Sequence, residues 1–121
     1  MLINPPFVRA EAQDKATRAA LVRRLPWLIG RWDLSIPFLI LALMRVRPGG
    51  LAAMVLPSPA LAQPYGLPLR QRLLAEHGLI TLTDFEGFTG AGASVALGLA
   101  RAHAPHDGPC WAEGPKATAL L

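Results

Sequence analysis

Residues 51–56, Leu-Ala-Ala-Met-Val-Leu, form an apolar run with no alternation. A strand with one wet face alternates apolar and polar side chains, so a strand without polar positions suits a sheet covered on both faces. Pro48-Gly49-Gly50 before the run is a turn in sequence alone, and Pro57-Ser58-Pro59 after it cannot extend a hydrogen-bonded ladder. The chain is therefore expected to build a largely parallel sheet. Parallel strands need crossover connections, usually helical.

The flanking sequence supplies candidates for those helices. Met1-Leu2-Ile3 is an apolar stub that ends at Asn4-Pro5-Pro6-Phe7, where two consecutive prolines stop a strand and begin a rigid loop. Residues 11–25 are mostly helix formers, with Ala12, Ala16, Ala19 and Ala20 as a small-residue stripe. Arg23 lies on that same face, so the amphipathicity is weak, and Pro26 ends the helix. Asp33 is placed to cap a helix running to about Arg45, with Pro37 in its early part. A third helix is expected over 67–77, with Pro68 in its first turn and Gly78 as its stop.

Residues 79–83 read as the next strand, closing on Asp84-Phe85, and 93–99 as a weaker one. Residues 1–100 thus form one domain, with 101–121 an irregular tail. Strand, helices, strand, helix, strand is the rhythm of a doubly wound α/β sheet, in which ligands gather just past the carboxyl ends of the strands. Asn4–Phe7, Pro57–Pro59 and Asp84-Phe85 would then lie along one edge.

Charge is unevenly spread. Residues 1–47 hold eight basic and three acidic side chains, and residues 48–121 hold four and five. A basic half invites an anionic partner such as nucleic acid, and equally suits a solvated helix surface. Arg9, Lys15, Arg31 and Arg70 are the candidate phosphate contacts. The single cysteine, Cys110, excludes an internal disulfide. Pro5, Pro6 and Glu11 interrupt any secretory signal, and the longest apolar run, 36–44, is too short to span a bilayer. A cytoplasmic location is expected.

The tetrad Asn4-Pro5-Pro6-Phe7 answers a specific chemical problem. The exocyclic amino group of adenine is a poor nucleophile because its lone pair is delocalised into the ring. Two acceptors aimed at its N–H bonds, an Asn side-chain oxygen and the carbonyl of the next residue, make that lone pair available without a charged base. Prolines hold the carbonyl rigidly, and an aromatic ring can stack on a base taken out of the duplex. The same four residues also suit a plain proline-stiffened loop, and the tetrad by itself does not decide between the two.

The stretch from Ile3 to Phe85 resembles the adenine-specific amino-methyltransferases of restriction–modification systems. The resemblance starts at Asn4-Pro5-Pro6-Phe7 and continues through Trp32-Asp33-Leu34 with Phe38, Pro48-Gly49-Gly50 and Val55-Leu56-Pro57-Ser58. It ends with Tyr65-Gly66, Leu69-Arg70 and the strand closing on Asp84-Phe85. It implies a partial Rossmann-like S-adenosylmethionine-dependent methyltransferase fold, the C-terminal half of the doubly wound sheet, with a β-hairpin closing it. It further implies that Asn4, Pro5, Pro6 and Phe7 are catalytic, that Asp33 and Phe38 shape the S-adenosylmethionine pocket, and that the partner is double-stranded DNA with a flipped adenine.

Two departures accompany the resemblance. Ser35 stands where the family has a tyrosine, which removes a ring from the cofactor helix. The family's Gly-rich cofactor loop and acidic ribose-binding residue precede the tetrad and are not among these 121 residues, and Gly87, Gly90 and Gly92 do not replace that loop. The chain is accordingly read as a middle fragment. Its alternatives are a catalytically silent remnant that binds nucleic acid, the remainder of the enzyme or a restriction subunit, and a methyltransferase for an RNA base or a protein glutamine.

Other residues carry less. His103, His106 and Cys110 lack a fourth ligand at a suitable spacing, so no metal is expected. His77 is expected in the last turn of the third helix, facing its dipole. Cys110 has no cationic neighbour to activate it. Trp27, Trp32 and Trp111 suit packing better than base stacking.

Overall fold

The apolar run forms β2 (Leu51–Pro57), the strand about which the sheet is organised. In the computed structural model, which describes residues 1–85, 95–105, 110–114, 116 and 118, β2 lies between β1 (Leu2–Ile3), parallel to it, and β4 (Val95–Arg101), antiparallel to it. Beyond β4 come β3 (Gly78–Phe85) and β5 (Trp111–Glu113), giving the order β1-β2-β4-β3-β5. Only β4 runs against the others. The weak strand expected at 93–99 is this return strand, in register two residues further on. The tail expected to be irregular supplies β5, which pairs in parallel with β3 through Thr81, Leu82 and Thr83.

The helices differ in how firmly the sequence defines them. In α1 (Lys15–Arg24) no residue is buried, which agrees with its weak stripe. It starts later than the composition suggested because Asp14 caps it, accepting from the Thr17 amide at 3.0 Å, while residues Ala10–Ala12 form a 3-10 turn. In α2 (Ser35–Arg45), Ile36, Leu39, Ile40 and Leu43 are at most 1% exposed. Burying each contributes about 1.5–3 kcal/mol, so α2 is fixed by its packing on β2. Pro37 sits in its first turn, where a missing N–H costs little.

The third helix, α3 (Leu67–Ala75), buries Pro68, Leu69 and Leu73 and stops two residues short of the expected end. The amide of His77 still reaches the Arg72 carbonyl at 3.2 Å, but Gly78 already belongs to β3. Gly66, just before α3, is fixed by a close approach. A Cβ there would stand 1.9 Å from the Ala60 carbonyl oxygen, so only glycine fits.

One face of the sheet is covered. Ala52, Met54, Leu56, Leu82, Ala96 and Ala100 join α2 and α3 in a single apolar core. The other face, among the described residues, is open, so β2, expected from its unbroken apolar run to be buried on both faces, is half-exposed in alternation. Leu2, which is 88% exposed, Leu97 and Phe85 stand around a shallow hollow of about 510 Å³ floored by Ala53, Val55 and Leu99, and Leu51 is exposed at the start of β2.

Candidate active-site edge

β1, β2 and β3 all end at the same side of the sheet, so Asn4, Ser58 and Asp84 follow or close parallel strands along one edge, as expected. Ile3 is the last ladder residue of β1, opposite Met54. From there Asn4 and Phe7 are exposed while Pro5 is buried, which anchors the loop and leaves an amide and a ring free at the surface.

The far end of the tetrad is held at Val8. Its amide donates to Asp33 Oδ1 at 3.2 Å, and its carbonyl accepts from the Leu34 amide at 2.9 Å and from Gln13 Nε2 at 3.0 Å. Asp33 Oδ1 also accepts from the Ser35 amide at 2.9 Å. It therefore caps α2, as its sequence position suggested, and ties that helix to the tetrad loop. Asp33 is buried, so the oxygen that resemblance directed at the cofactor is engaged with backbone. Phe38, further along α2, is 46% exposed and keeps a ring available at the surface.

The basic candidates divide. Lys15 and Arg31 line one pit, with Gln13 and Arg18, beside the tetrad loop. Arg31 also pairs with Glu11 at 3.1 Å on the surface. Arg9 is exposed two residues past Phe7. Arg70 is elsewhere: its guanidinium donates to the carbonyls of Ala60 and Gln63, each at 2.7 Å, closing the turn after β2. Its hydrogen bonds thus serve the loop that needs Gly66.

Several edge residues were given no role of their own by the sequence. Arg18 lies 3.9 Å over the buried Trp32 ring and donates to the Trp32 and Gly30 carbonyls at 3.0 and 2.8 Å. Burial, and after it the nearby Arg31, lowers its pKa. Ser58, fully buried, donates a hydrogen bond to Asp84 Oδ1, which joins the ends of β2 and β3. That link passes the small side chain of Ala96, the β4 residue opposite both Leu56 and Asp84. The half-buried Tyr65 has its phenol pushed up by burial, with the charge of Asp33 adding to the effect. No periodicity marks any of these side chains, because each acts through a contact distant in sequence.

The remaining candidates are structural. Trp32 is buried under Arg18, and Trp27 lies 4.7 Å beneath Arg72. Trp111, expected to pack, is instead 70% exposed on the short edge strand β5. His77 follows α3 and is buried; its Nδ1 accepts from the His103 amide at 3.0 Å, so it serves the turn after β4 and not the helix dipole. Burial pushes the Cys110 thiol up, which disfavours the thiolate. Gly87, Gly90, Gly92 and His106 lie outside the described residues. Among the described residues no group of three or more His, Cys, Asp or Glu is placed to hold a metal, and no helix is long and apolar enough to cross a membrane.

No family model matches the chain. Over 84 residues it is 33% identical to the type II methyltransferase M.BanIII of Aneurinibacillus aneurinilyticus, an alignment covering 69% of this chain and 14% of that protein. The chain is thus similar in sequence to part of a type II methyltransferase, and its fold is shared with solved methyltransferase structures. The EcoKI M protein of a type I restriction enzyme superposes with a TM-score of 0.56 at 22% identity, covering 84% of this chain and 20% of that one. A Listeria monocytogenes protein described as a class I S-adenosylmethionine-dependent methyltransferase superposes with a TM-score of 0.66 at 12% identity, covering 98% and 38%. The fold is thus a partial Rossmann-like methyltransferase fold, as the resemblance implied. The chain spans about 14% of the length of the curated relative it matches.

Proposed function

We propose that this chain carries the amino-group-accepting part of an adenine-specific DNA methyltransferase of a restriction–modification system. The reading rests on one observation above all. Asn4 and Phe7 are exposed at the carboxyl end of a parallel strand, while Pro5 is buried and Val8 is tethered by three hydrogen bonds. In this reading Asn4 Oδ1 and the Pro5 carbonyl accept from the two N–H bonds of the target amine. Pro6 stiffens the loop and Phe7 stacks on the base. Preorganised acceptors of this type act where charge develops, on the nitrogen as it forms its bond.

The half-exposed Phe38 ring fits contact with the apolar part of S-adenosylmethionine, whereas Asp33 is directed at backbone. When bound, S-adenosylmethionine supplies the electrophilic methyl group. The residues of this chain orient and polarise the acceptor nitrogen. In this reading the exposed Arg9, and Lys15 and Arg31 of the pit, meet the phosphates around a flipped nucleotide.

The test is transfer of labelled methyl from S-adenosylmethionine to duplex DNA by the native gene product. Transfer to adenine that disappears in Asn4→Ala, with DNA binding retained, is the expected result; unchanged turnover removes the tetrad's role. Offering single-stranded RNA and glutamine-containing peptide in parallel separates the alternative acceptors. For the 121 residues alone, calorimetry is expected to detect no S-adenosylmethionine binding, because the family's Gly-rich loop is not among them. Micromolar affinity would overturn that expectation.

A second reading, a binding module for a partner subunit, is favoured by the sheet face that is open among the described residues. An apolar surface bearing Leu2 and Leu97 is what a partner polypeptide covers.

A further inference from the structure

The tetrad has a mechanical peculiarity. Pro5 and Pro6 have no N–H, so two of its four residues cannot be tethered through their own amides. On one side the loop leaves the ladder at Ile3. On the other it is pinned at Val8, and the fixed φ angles of the two prolines connect these anchors as a stiff link. Where Val8 is held therefore decides where Asn4 and Phe7 point.

Gln13 makes one of the three hydrogen bonds of that hold, and it links them to Trp32. Its Nε2 donates to the Val8 and Trp32 carbonyls, both at 3.0 Å, joining the loop after the tetrad to the segment that starts α2. Its Oε1 accepts from Arg18 Nη1 at 3.0 Å. A guanidinium can only donate, so it fixes which end of the amide faces which way: oxygen to Arg18, nitrogen to the two carbonyls. Arg18 is itself fixed by the Trp32 ring below it and by the Trp32 and Gly30 carbonyls. The chain of contacts runs Trp32, Arg18, Gln13, Val8, tetrad.

We infer that Gln13 and Arg18 are positioning residues for the Asn4–Phe7 tetrad. Neither touches the reacting atoms. Arg18 orients the Gln13 amide, Gln13 holds the Val8 carbonyl, and the prolines transmit that position to the acceptors. The catalytic consequence rests on the methyl-transfer reading above; the mechanical coupling does not.

Gln13→Glu separates the two parts, because the carboxylate still accepts from Arg18 but can no longer donate to either carbonyl. The chain labelled with fluorophenylalanine reports the result, with the Phe7 resonance assigned by Phe7→Leu. In Gln13→Glu the Phe7 resonance is expected to shift or broaden while that of Phe38 stays in place. In the native gene product kcat is expected to fall roughly 10- to 100-fold, the scale of a small misplacement of reacting groups, with KM for DNA changed by less than about twofold.

Asp14→Ala is the control. It removes the α1 cap at Thr17, lowering the melting temperature without touching Val8, and should leave both the Phe7 resonance and kcat unchanged. An unmoved Phe7 resonance in Gln13→Glu, or an equal response to Asp14→Ala, overturns the proposal. A Phe7 resonance that responds in a protein unable to transfer methyl groups would instead sink the functional reading and leave the coupling standing.

Discussion

The two ends of the sheet are held together in different ways. At the carboxyl end, side chains reach backbone across long stretches of sequence: Asp33 to Val8, Gln13 to Val8 and Trp32, Arg18 to Gly30, Arg70 to Ala60. At the amino end backbone also pairs with backbone, beside side-chain ties from Arg101 to the Gly49 carbonyl and from the His103 amide to His77. The Gly49 amide donates to Ala102 and the Ala102 amide to Gly50, each at 2.8 Å, over the buried Leu43, Ala100 and Ala102. Backbone ties tolerate changes of side chain. An end tied by side chains can hold an exposed tetrad in one pose, and each of its residues is individually exposed to mutational loss.

The contrast can be broken most forcefully at the tetrad. Asn4→Ala should cut methyl transfer by about 10²–10³-fold, the scale seen when one preorganised polar group is removed from an active site, and should leave the melting curve unchanged. A large loss of stability would mean that the carboxyl end is built around Asn4 rather than exposing it. At the amino end the opposite pattern is expected. Leu43→Ala should destabilise the fold by about 2–5 kcal/mol in urea unfolding, because it empties a fully packed site, while the folded fraction keeps its turnover.

Acid sharpens the difference further. Burial, followed by the neighbouring His103, depresses the His77 pKa below its usual 6.5. The unfolded chain therefore takes up this proton first. The associated stability is complete above pH 6.5 and is lost as the pH falls from there through the folded-state value. The rings of His77 and His103 are 4.9 Å apart, and a protonated Nδ1 can no longer accept from the His103 amide. Melting temperatures at pH 7.5 and 5.5 should differ less in His77→Gln than in the wild type; an equal difference removes His77 from the account.

The smallest effect concerns α2. Ser35 Oγ is fully buried and has no hydrogen-bond partner among the described residues. Removing an unsatisfied hydroxyl relieves a desolvation cost, so Ser35→Ala should raise stability by roughly 1 kcal/mol. Loss of stability would show that the hydroxyl is partnered in solution.

The sequence reads most clearly where one local signal decides the structure. The unbroken apolar run of β2, the Asp33 cap and apolar stripe of α2, and the proline stop after Ile3 are all of this type. The return strand β4 is weaker because Gly98 and its alanines have little strand character, and its place between β2 and β3 depends on pairing with both. β5 has no local signature among prolines and glycines. At the site, the exposed Asn4 and Phe7 follow from the motif, but the roles of Gln13 and Arg18 depend on carbonyls brought close by folding. Arg70 shows the converse, since a surface arginine and an arginine that bonds two backbone carbonyls look identical in sequence.

The insertion of β4 between β2 and β3 has a consequence for synthesis on the ribosome. Domains are made from the N-terminus onward, and β1, β2 and β3 all emerge before the strand that joins them. Until residues 95–101 appear, β2 has only the two-residue β1 beside it, and β3 faces an empty slot one strand wide. The β3–β4 hairpin is the shorter closure and should form first, since its loop costs less entropy than bringing β4 back to β2. A ribosome paused before Val95 therefore holds an apolar, half-zipped sheet, and β4 is the strand that joins its two parts.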